Sequence, residues 1–281
     1  MTGSLRTVAI DVDGTLLDPA HELRPAVRAA VREMSDRGIG IVLASGRYLP
    51  SLVWILAQLG IAEATLLGCS GGTAMRVRKG QPDELLFESR LDRALTLSLA
   101  REALAANLHV AWYAPGCWYA PSGEGWYAEE TQILGHAPIV APDFSAIEGE
   151  PNKLQLVAPD AAGIAVMQAL QQRLKAQAAD RCSAVFSHSD MLEILPAGVD
   201  KAQGLRRLGA LGDLDLDATL AFGDAENDME MLAEAGFGIA MGNATDALKA
   251  VADWVTLPNS EDGIAHALSQ PWLRARLGVQ A

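Results

Sequence analysis

The residues best suited to chemistry stand in four short stretches, three directly behind an apolar run and one at a helix start. The first is Asp11-Val12-Asp13-Gly14-Thr15, directly after the apolar residues 8–10. Two carboxylates at i and i+2 project to the same side if the backbone stays extended. Carboxylates that close repel, so they share a proton or hold a cation, and Gly14 permits a sharp turn behind them. The second is Ser45-Gly46-Arg47, a hydroxyl, a flexible backbone N–H and a guanidinium, which together suit an anionic oxygen. The third is Lys201, at a helix start in Gly198-Val199-Asp200-Lys201. A cation there opposes the helix dipole, and a local anionic partner would explain it. The fourth is Gly223-Asp224-Ala225-Glu226-Asn227-Asp228. Asp224 at a strand tip suits a hard cation, and Asp228 lies one helical turn further on, able to face the same way. Mg²⁺ takes a few carboxylate oxygens and fills its remaining positions with water and phosphate. Each stretch also has a plainer reading: an acidic or polar turn, a solvated lysine, an acidic helix N-terminus.

What sets them apart is the framework. Residues 7–10, 39–44 and 64–69 are short apolar runs of strand length, separated by helical spacings over 25–34 and 52–59. Strands alternating with helices imply βαβ units and a parallel sheet, and ligands bind such sheets at the C-terminal ends of the strands. The pattern breaks in the middle. Residues 84–88 read as a strand and 91–104 as a helix. Trp112-Tyr113, Trp118-Tyr119 and Trp126-Tyr127, separated by Pro115-Gly116 and Ser122-Gly123, read as hairpin strands. Strand, helix and strand follow at 153–157, 164–178 and 184–187. The α/β alternation then resumes with helices at 200–208, 227–235, 245–252 and 263–268 and strands at 219–222, 237–241 and 254–257. The fold class is thus α/β, a doubly wound, mostly parallel sheet with an inserted α+β cap. The expected core is 1–82 with 190–281, and the expected cap is 83–189. Gly236-Phe237-Gly238-Ile239-Ala240-Met241-Gly242 imitates a dinucleotide fingerprint, but it has one residue too many and precedes a strand.

Composition narrows the partners. The chain has 281 residues, half of them hydrophobic, and a net charge of -13, which argues against nucleic acid and anionic membranes. A phosphorylated substrate would be repelled at long range, so its site must be local and metal-assisted. Cys69, Cys117 and Cys182 have no metal or redox spacing, and an odd number suits a reducing compartment. With no signal-type or membrane-length apolar run, the expectation is a soluble, cytoplasmic protein.

The order DxDGT, Ser, Lys, GDxxND resembles the haloacid dehalogenase superfamily over nearly the whole chain. It is most similar to the Cof-like (class IIB) phosphatases, whose α/β cap sits between the second and third motifs. Further matching stretches are Leu195-Pro196-Ala197-Gly198-Val199-Asp200-Lys201, Ala240-Met241-Gly242-Asn243-Ala244, Ala252-Asp253-Trp254-Val255-Thr256 and Glu261-Asp262-Gly263-Ile264. Such proteins usually read Asn-Gly after the third core strand; here the pair is read as Gly71-Gly72, which puts the Asn contact in doubt. The resemblance implies hydrolysis of a small phosphomonoester, a sugar phosphate or similar metabolite. Asp11 would attack phosphorus to form an aspartyl-phosphate. Asp13, its pKa raised beside Asp11, would protonate the leaving oxygen and then activate water. Mg²⁺ would be held by Asp11, the Asp13 carbonyl and Asp224, steadied by Asp228. Ser45, Gly46 and Lys201 would hold phosphoryl oxygens, Arg47 would touch substrate, and Asn227 would orient Lys201 or the phosphate. Lys153, at a strand start in the cap, is expected to be a substrate-specificity contact. A phosphomutase, or a phospholigand-binding protein without turnover, are the alternatives; the intact Asp11 and Asp13 weigh against the second.

Overall fold

In the computed structural model, which describes residues 4–279, the first apolar run becomes β1 (Thr7–Asp11), buried along its whole length. A Pro-initiated helix follows, α1 (Pro25–Asp36), with Val27, Val31 and Met34 on its inner face. Next come β2 (Gly40–Ala44), α2 (Leu49–Leu59), β3 (Glu63–Gly68), β4 (Thr73–Arg78) and β5 (Glu84–Glu88). The middle of the chain forms α3 (Arg93–Ala105), β6 (His109–Ala114), β7 (Cys117–Ala120), α4 (Trp126–Leu134), β8 (Ile139–Val140), β9 (Lys153–Val157), α5 (Ala161–Gln177), β10 (Cys182–His188) and β11 (Met191–Pro196). The remainder is α6 (Lys201–Ala210), β12 (Thr219–Gly223), α7 (Met229–Glu234), β13 (Phe237–Ala240), α8 (Asp246–Val251), β14 (Trp254–Val255), α9 (Gly263–Ser269) and α10 (Pro271–Arg276). Helices α3, α5 and α6 are capped by Asp92, Asp160 and Asp200, each accepting a first-turn N–H.

The larger sheet has the order β14-β13-β12-β1-β2-β3-β4-β5. Strands β14 to β3 run parallel, while β4 and β5 add an antiparallel edge. In β1, Val8 and Ile10 pack with α1, α2, α9 and α10, and Ala9 faces α6, α7 and α8. Both faces are covered, so size alternates along the strand while polarity does not. The smaller sheet has the order β10-β11-β9-β6-β7-β8, antiparallel except for the last pair. Trp112, Leu154, Leu156, Leu192 and Ile194 pack with α3 and α5 on one of its faces.

Three expectations change. The boundaries at 83 and 189 fall inside the sheets. Glu84–Glu88 pairs with β4 at the edge of the larger sheet, and Met191–Pro196 pairs on both sides within the smaller one. The sheets therefore part after Glu88 and after Pro196. Of the Trp-Tyr pairs, the first two do pair across a hairpin, Trp112 opposite Tyr119 and Tyr113 opposite Trp118. The third opens α4 instead, because Tyr127, Glu130 and Leu134 recur at helical spacing and are buried together. Finally, the helix expected over 227–235 begins with a 3₁₀ turn at Glu226–Asp228.

Candidate active site

Adjacent parallel strands bring their C-terminal ends to one edge. Asp11 ends β1, Ser45 follows β2 and Asp224 follows β12. The chain runs from β1 to β2 on one side, and β12 lies on the other. This is a topological switch point, where open α/β sheets leave a crevice. The crevice here is a cavity of about 340 Å³ lined by Asp11, Asp13, Ser45, Gly46, Arg47, Asp224 and Asn227, with residues of the smaller sheet above it.

Lys201 has the anionic partners its position demanded. Its Nζ donates to Asp11 Oδ1 at 2.5 Å and to Asp228 Oδ1 at 2.6 Å, and it is fully buried. Burial would lower its pKa, but the two carboxylates hold it above the ordinary lysine value. The other oxygen of Asp228 accepts from the backbone N–H groups of Asp224 and Ala225 at 3.1 and 3.2 Å. Asp224 is fixed in turn by Thr15 Oγ1 at 3.1 Å and Asn243 Nδ2 at 3.4 Å. Gly14 (φ 83°) passes so close to Asp224 that a Cβ would lie 2.3 Å from Oδ2; only glycine fits.

Asp11, Asp224 and Asp228 each offer an oxygen within 4.8 Å of the others. Burial, and then repulsion from Asp228 and Asp224, push Asp11 well above the usual carboxylate value, although Lys201 opposes this. Burial and Asp228 raise Asp224 to about 6. Hard oxygen donors held this close, their mutual repulsion not cancelled by one lysine, fit a hard divalent cation.

Asp13 behaves differently from the expectation. The strand ends at Asp11, so Asp13 does not continue its alternation. Its two oxygens accept from Arg47 Nη2 at 2.6 Å and Nε at 2.8 Å, and His21 Nδ1 lies 3.2 Å away. Burial alone would raise its pKa, but the Arg47 and His21 hydrogen bonds hold it well below the ordinary carboxylate value. Arg47 spends its remaining reach on Ser51 Oγ at 3.3 Å and the Ile133 carbonyl at 2.5 Å. It bridges Asp13 to the smaller sheet's side of the cavity and does not point free at a substrate. Ser45 Oγ accepts the Arg47 N–H at 3.1 Å. Asn227 lines the cavity with a buried, unpartnered Oδ1 and does not bond Lys201; Asp228 orients that lysine.

The haloacid dehalogenase-like hydrolase model matches residues 8–268. The chain belongs to this family. An HMP-PP phosphatase of Serratia proteamaculans is 30% identical over 284 residues, covering 96% of both chains. A haloacid dehalogenase-like hydrolase from Bacteroides thetaiotaomicron superposes with a TM-score of 0.82 at 28% identity, covering 94% of this chain and 98% of that one. One from B. subtilis gives 0.82 at 25% identity, covering 95% and 100%. The hydrolase is of the Cof-like kind. Among the described residues no helix is long and apolar enough to cross a membrane.

In this hydrolase the smaller sheet also lines the cavity, and of the residues it supplies Gln155 and Glu193 were missed by motif reading. Strand alternation turns Tyr113, Lys153, Gln155 and Glu193 away from α3 and α5 and onto the cavity. Lys153 is buried, and its Nζ donates to Gly46 O at 2.8 Å, Gln155 Oε1 at 3.0 Å and Glu193 Oε1 at 2.8 Å. Its donors are spent, so the expected role as a direct specificity contact does not hold; it ties β9 to the Ser45–Arg47 loop. Glu193 Oε2 accepts from Ser70 Oγ at 2.7 Å. Ser70 has φ 54°, a left-handed value that Asn tolerates well. Gly71 has φ 99°, and a Cβ there would meet the Asp200 carbonyl oxygen at 2.0 Å. Gly71 therefore has no room for a side chain, and Ser70 beside it is the residue that reaches Glu193. The signal that could have found the cap residues was polar-apolar alternation in Lys153-Leu154-Gln155-Leu156.

Proposed function

We propose that this hydrolase transfers the phosphoryl group of a small phosphomonoester first to Asp11 and then to water, with Mg²⁺ bound among Asp11, the Asp13 carbonyl and Asp224. It is a phosphatase of small phosphorylated metabolites. The observation that carries the mechanism is the Lys201 bridge between Asp11 and Asp228, which holds a buried carboxylate at a strand tip facing the cavity. A carboxylate nucleophile divides the transfer into two easier steps. The cation would neutralise phosphoryl charge. Ser45, the Gly46 N–H and Lys201 bind the phosphoryl oxygens, and Asn227, its Oδ1 unpartnered, is placed to contact substrate. Asp13, held ionised by Arg47, is in the form that takes a proton from attacking water. For the earlier protonation of the leaving oxygen, the Arg47 fork must open. The smaller sheet with α3, α4 and α5 acts as a cap whose contacts with the core exclude water. The cysteines are unpaired, and a cytoplasmic location goes with this reading.

The test is turnover of an aryl phosphate with and without Mg²⁺, beside acid-stable labelling of the protein by the substrate's phosphate. Both should vanish in Asp11→Asn, and turnover should vanish with chelator. Turnover by Asp11→Asn at the wild-type rate would remove the covalent mechanism.

A further inference from the structure

The roof of the cavity offers acceptors and few unspent cations. Lys153 has three N–H donors and three acceptors already on them. Arg47 is committed to Asp13, Ser51 and Ile133. Both oxygens of Glu193 are taken, by Lys153 and Ser70.

Glu130 is the exception among the roof's buried acids. It sits on α4, is 7% exposed and lines the same cavity as Asp11. Its Oε1 accepts from Tyr113 Oη at 2.9 Å and Gln155 Nε2 at 3.4 Å, while no donor among the described residues reaches Oε2. It has no ion pair among the described residues; the nearest cations face other carboxylates. Burial raises its carboxyl above the ordinary glutamate value, and Tyr113 and Lys153 only moderate this. A carboxylate largely buried without a cation is costly, and Oε2 is the atom left to the cavity. Anchoring one tyrosine hydroxyl does not need a charge, because a glutamine oxygen would accept the same bond. A ligand donor at Oε2 would supply what the fold omits.

We propose that Glu130 is a specificity-determining contact whose Oε2 accepts a hydrogen bond from a hydroxyl or ammonium group on the leaving group of the substrate. The inference rests on the phosphatase reading and deepens it. It selects alcohol or amine leaving groups that carry donors, and it disfavours a second anionic group, which would meet Glu130 and a roof whose cations are already spent.

The test compares four phosphomonoesters of similar size in Mg²⁺ buffer: propyl phosphate, glycerol 1-phosphate, 3-aminopropyl phosphate and 1,3-propanediol bisphosphate. A hydrogen bond to a charged group predicts that kcat/KM for the hydroxyl or amino ester exceeds that for propyl phosphate by about 10- to 100-fold, chiefly through KM. The bisphosphate should be poorest. Glu130→Gln, which keeps an acceptor but no charge, should collapse the advantage of the amine more than that of the hydroxyl; Glu130→Leu should collapse both. Equal kcat/KM for propyl and donor-bearing esters in the wild-type chain would overturn the proposal whatever the variants do. So would a preference for the bisphosphate, or a parallel loss on every ester in both variants. Hydrolysis of none of them by the wild-type chain would instead overturn the phosphatase reading beneath it.

Discussion

Replacing Asp228 by asparagine tests how the site is held together. The side chain is fully buried. One oxygen meets Lys201 Nζ at 2.6 Å, and the other meets the N–H groups of Asp224 and Ala225 at 3.1 and 3.2 Å. Every hydrogen-bond partner of the carboxylate is therefore a donor. An asparagine has one acceptor atom and one NH₂, so either orientation sets an NH₂ against a donor. Turned towards the backbone, it abandons two N–H groups; turned towards Lys201, it abandons an ammonium. Losing a charge-assisted bond costs about 1.5–3 kcal/mol. Breaking a buried ion pair by removing one partner costs about 3–5 kcal/mol. The two overlap, so the expected loss of stability is about 3–5 kcal/mol. Because Asp228 sets the position of the Asp224 backbone, metal affinity should fall about 10- to 100-fold, the usual penalty for deleting a group that orients a ligand. Denaturant unfolding reads the first quantity, and the Mg²⁺ dependence of phosphate release reads the second. An Asn variant with wild-type stability and a wild-type Mg²⁺ midpoint would refute the claim that this buried pair carries the end of β12.

Three other outcomes follow from the same contacts. Lys153→Ala leaves Glu193 buried without its cation and frees the Gly46 carbonyl; it should cost about 3–5 kcal/mol in denaturant unfolding and lower kcat/KM on small and large phosphoesters in parallel, since Lys153 acts through the loop. Glu130 has a carboxyl raised in the fold by burial, so the folded state holds an extra proton between the ordinary glutamate value and the raised one, and stability falls as pH rises through that window. Glu130→Gln removes this dependence: its melting temperature should exceed the wild type's at neutral pH, and the gap should close as pH falls into the ordinary glutamate range. Gly71→Ala should destabilise the chain and slow turnover, because a Cβ 2.0 Å from the Asp200 carbonyl must displace the helix start that carries Lys201; a variant with unchanged melting temperature and rate would contradict that packing.

Legibility in the sequence followed locality. The elements of the parallel part of the larger sheet could be read because each carries its own signal: an apolar run, a helical spacing, a proline at the first turn of α1, glycine turns. The four chemistry-bearing stretches could be read for the same reason, since strand, turn and carboxylate are contiguous. β4 and β11 were not anticipated, because Thr73–Arg78 and Met191–Pro196 mix polar and apolar residues whose faces are set only by the strands they pair with. The direction of Asp13 was also out of reach. Its neighbour in sequence is Asp11, but its partner in space is Arg47, 34 positions away. Lys153 misled in the same way: a cation at a strand start in an acidic chain looked free, and two long-range acceptors, Gly46 O and Glu193, engage it beside Gln155 of its own strand.

The cavity's charges explain how so acidic a chain can still bind phosphate. Asp11, Asp13, Asp224, Glu130, Asp190 and Glu193 all line the cavity. Lys201, Arg47 and Lys153 each answer particular members of that set: Asp11 with Asp228, Asp13, and Glu193. The cations are thus used in holding carboxylates in place, and Asp224 is left with neutral partners, Thr15 and Asn243. A phosphoryl group entering such a site meets no surplus of positive charge from the protein alone. Binding must therefore wait on a divalent cation at Asp11 and Asp224, which converts the most repulsive corner of the cavity into its most attractive one. On this argument metal and phosphoester should bind with strong positive coupling, each raising the affinity for the other by the same factor. Inorganic phosphate as the ligand, titrated calorimetrically with and without Mg²⁺, measures that factor; phosphate affinity independent of Mg²⁺ would show that the lysine and the loop amides suffice without it.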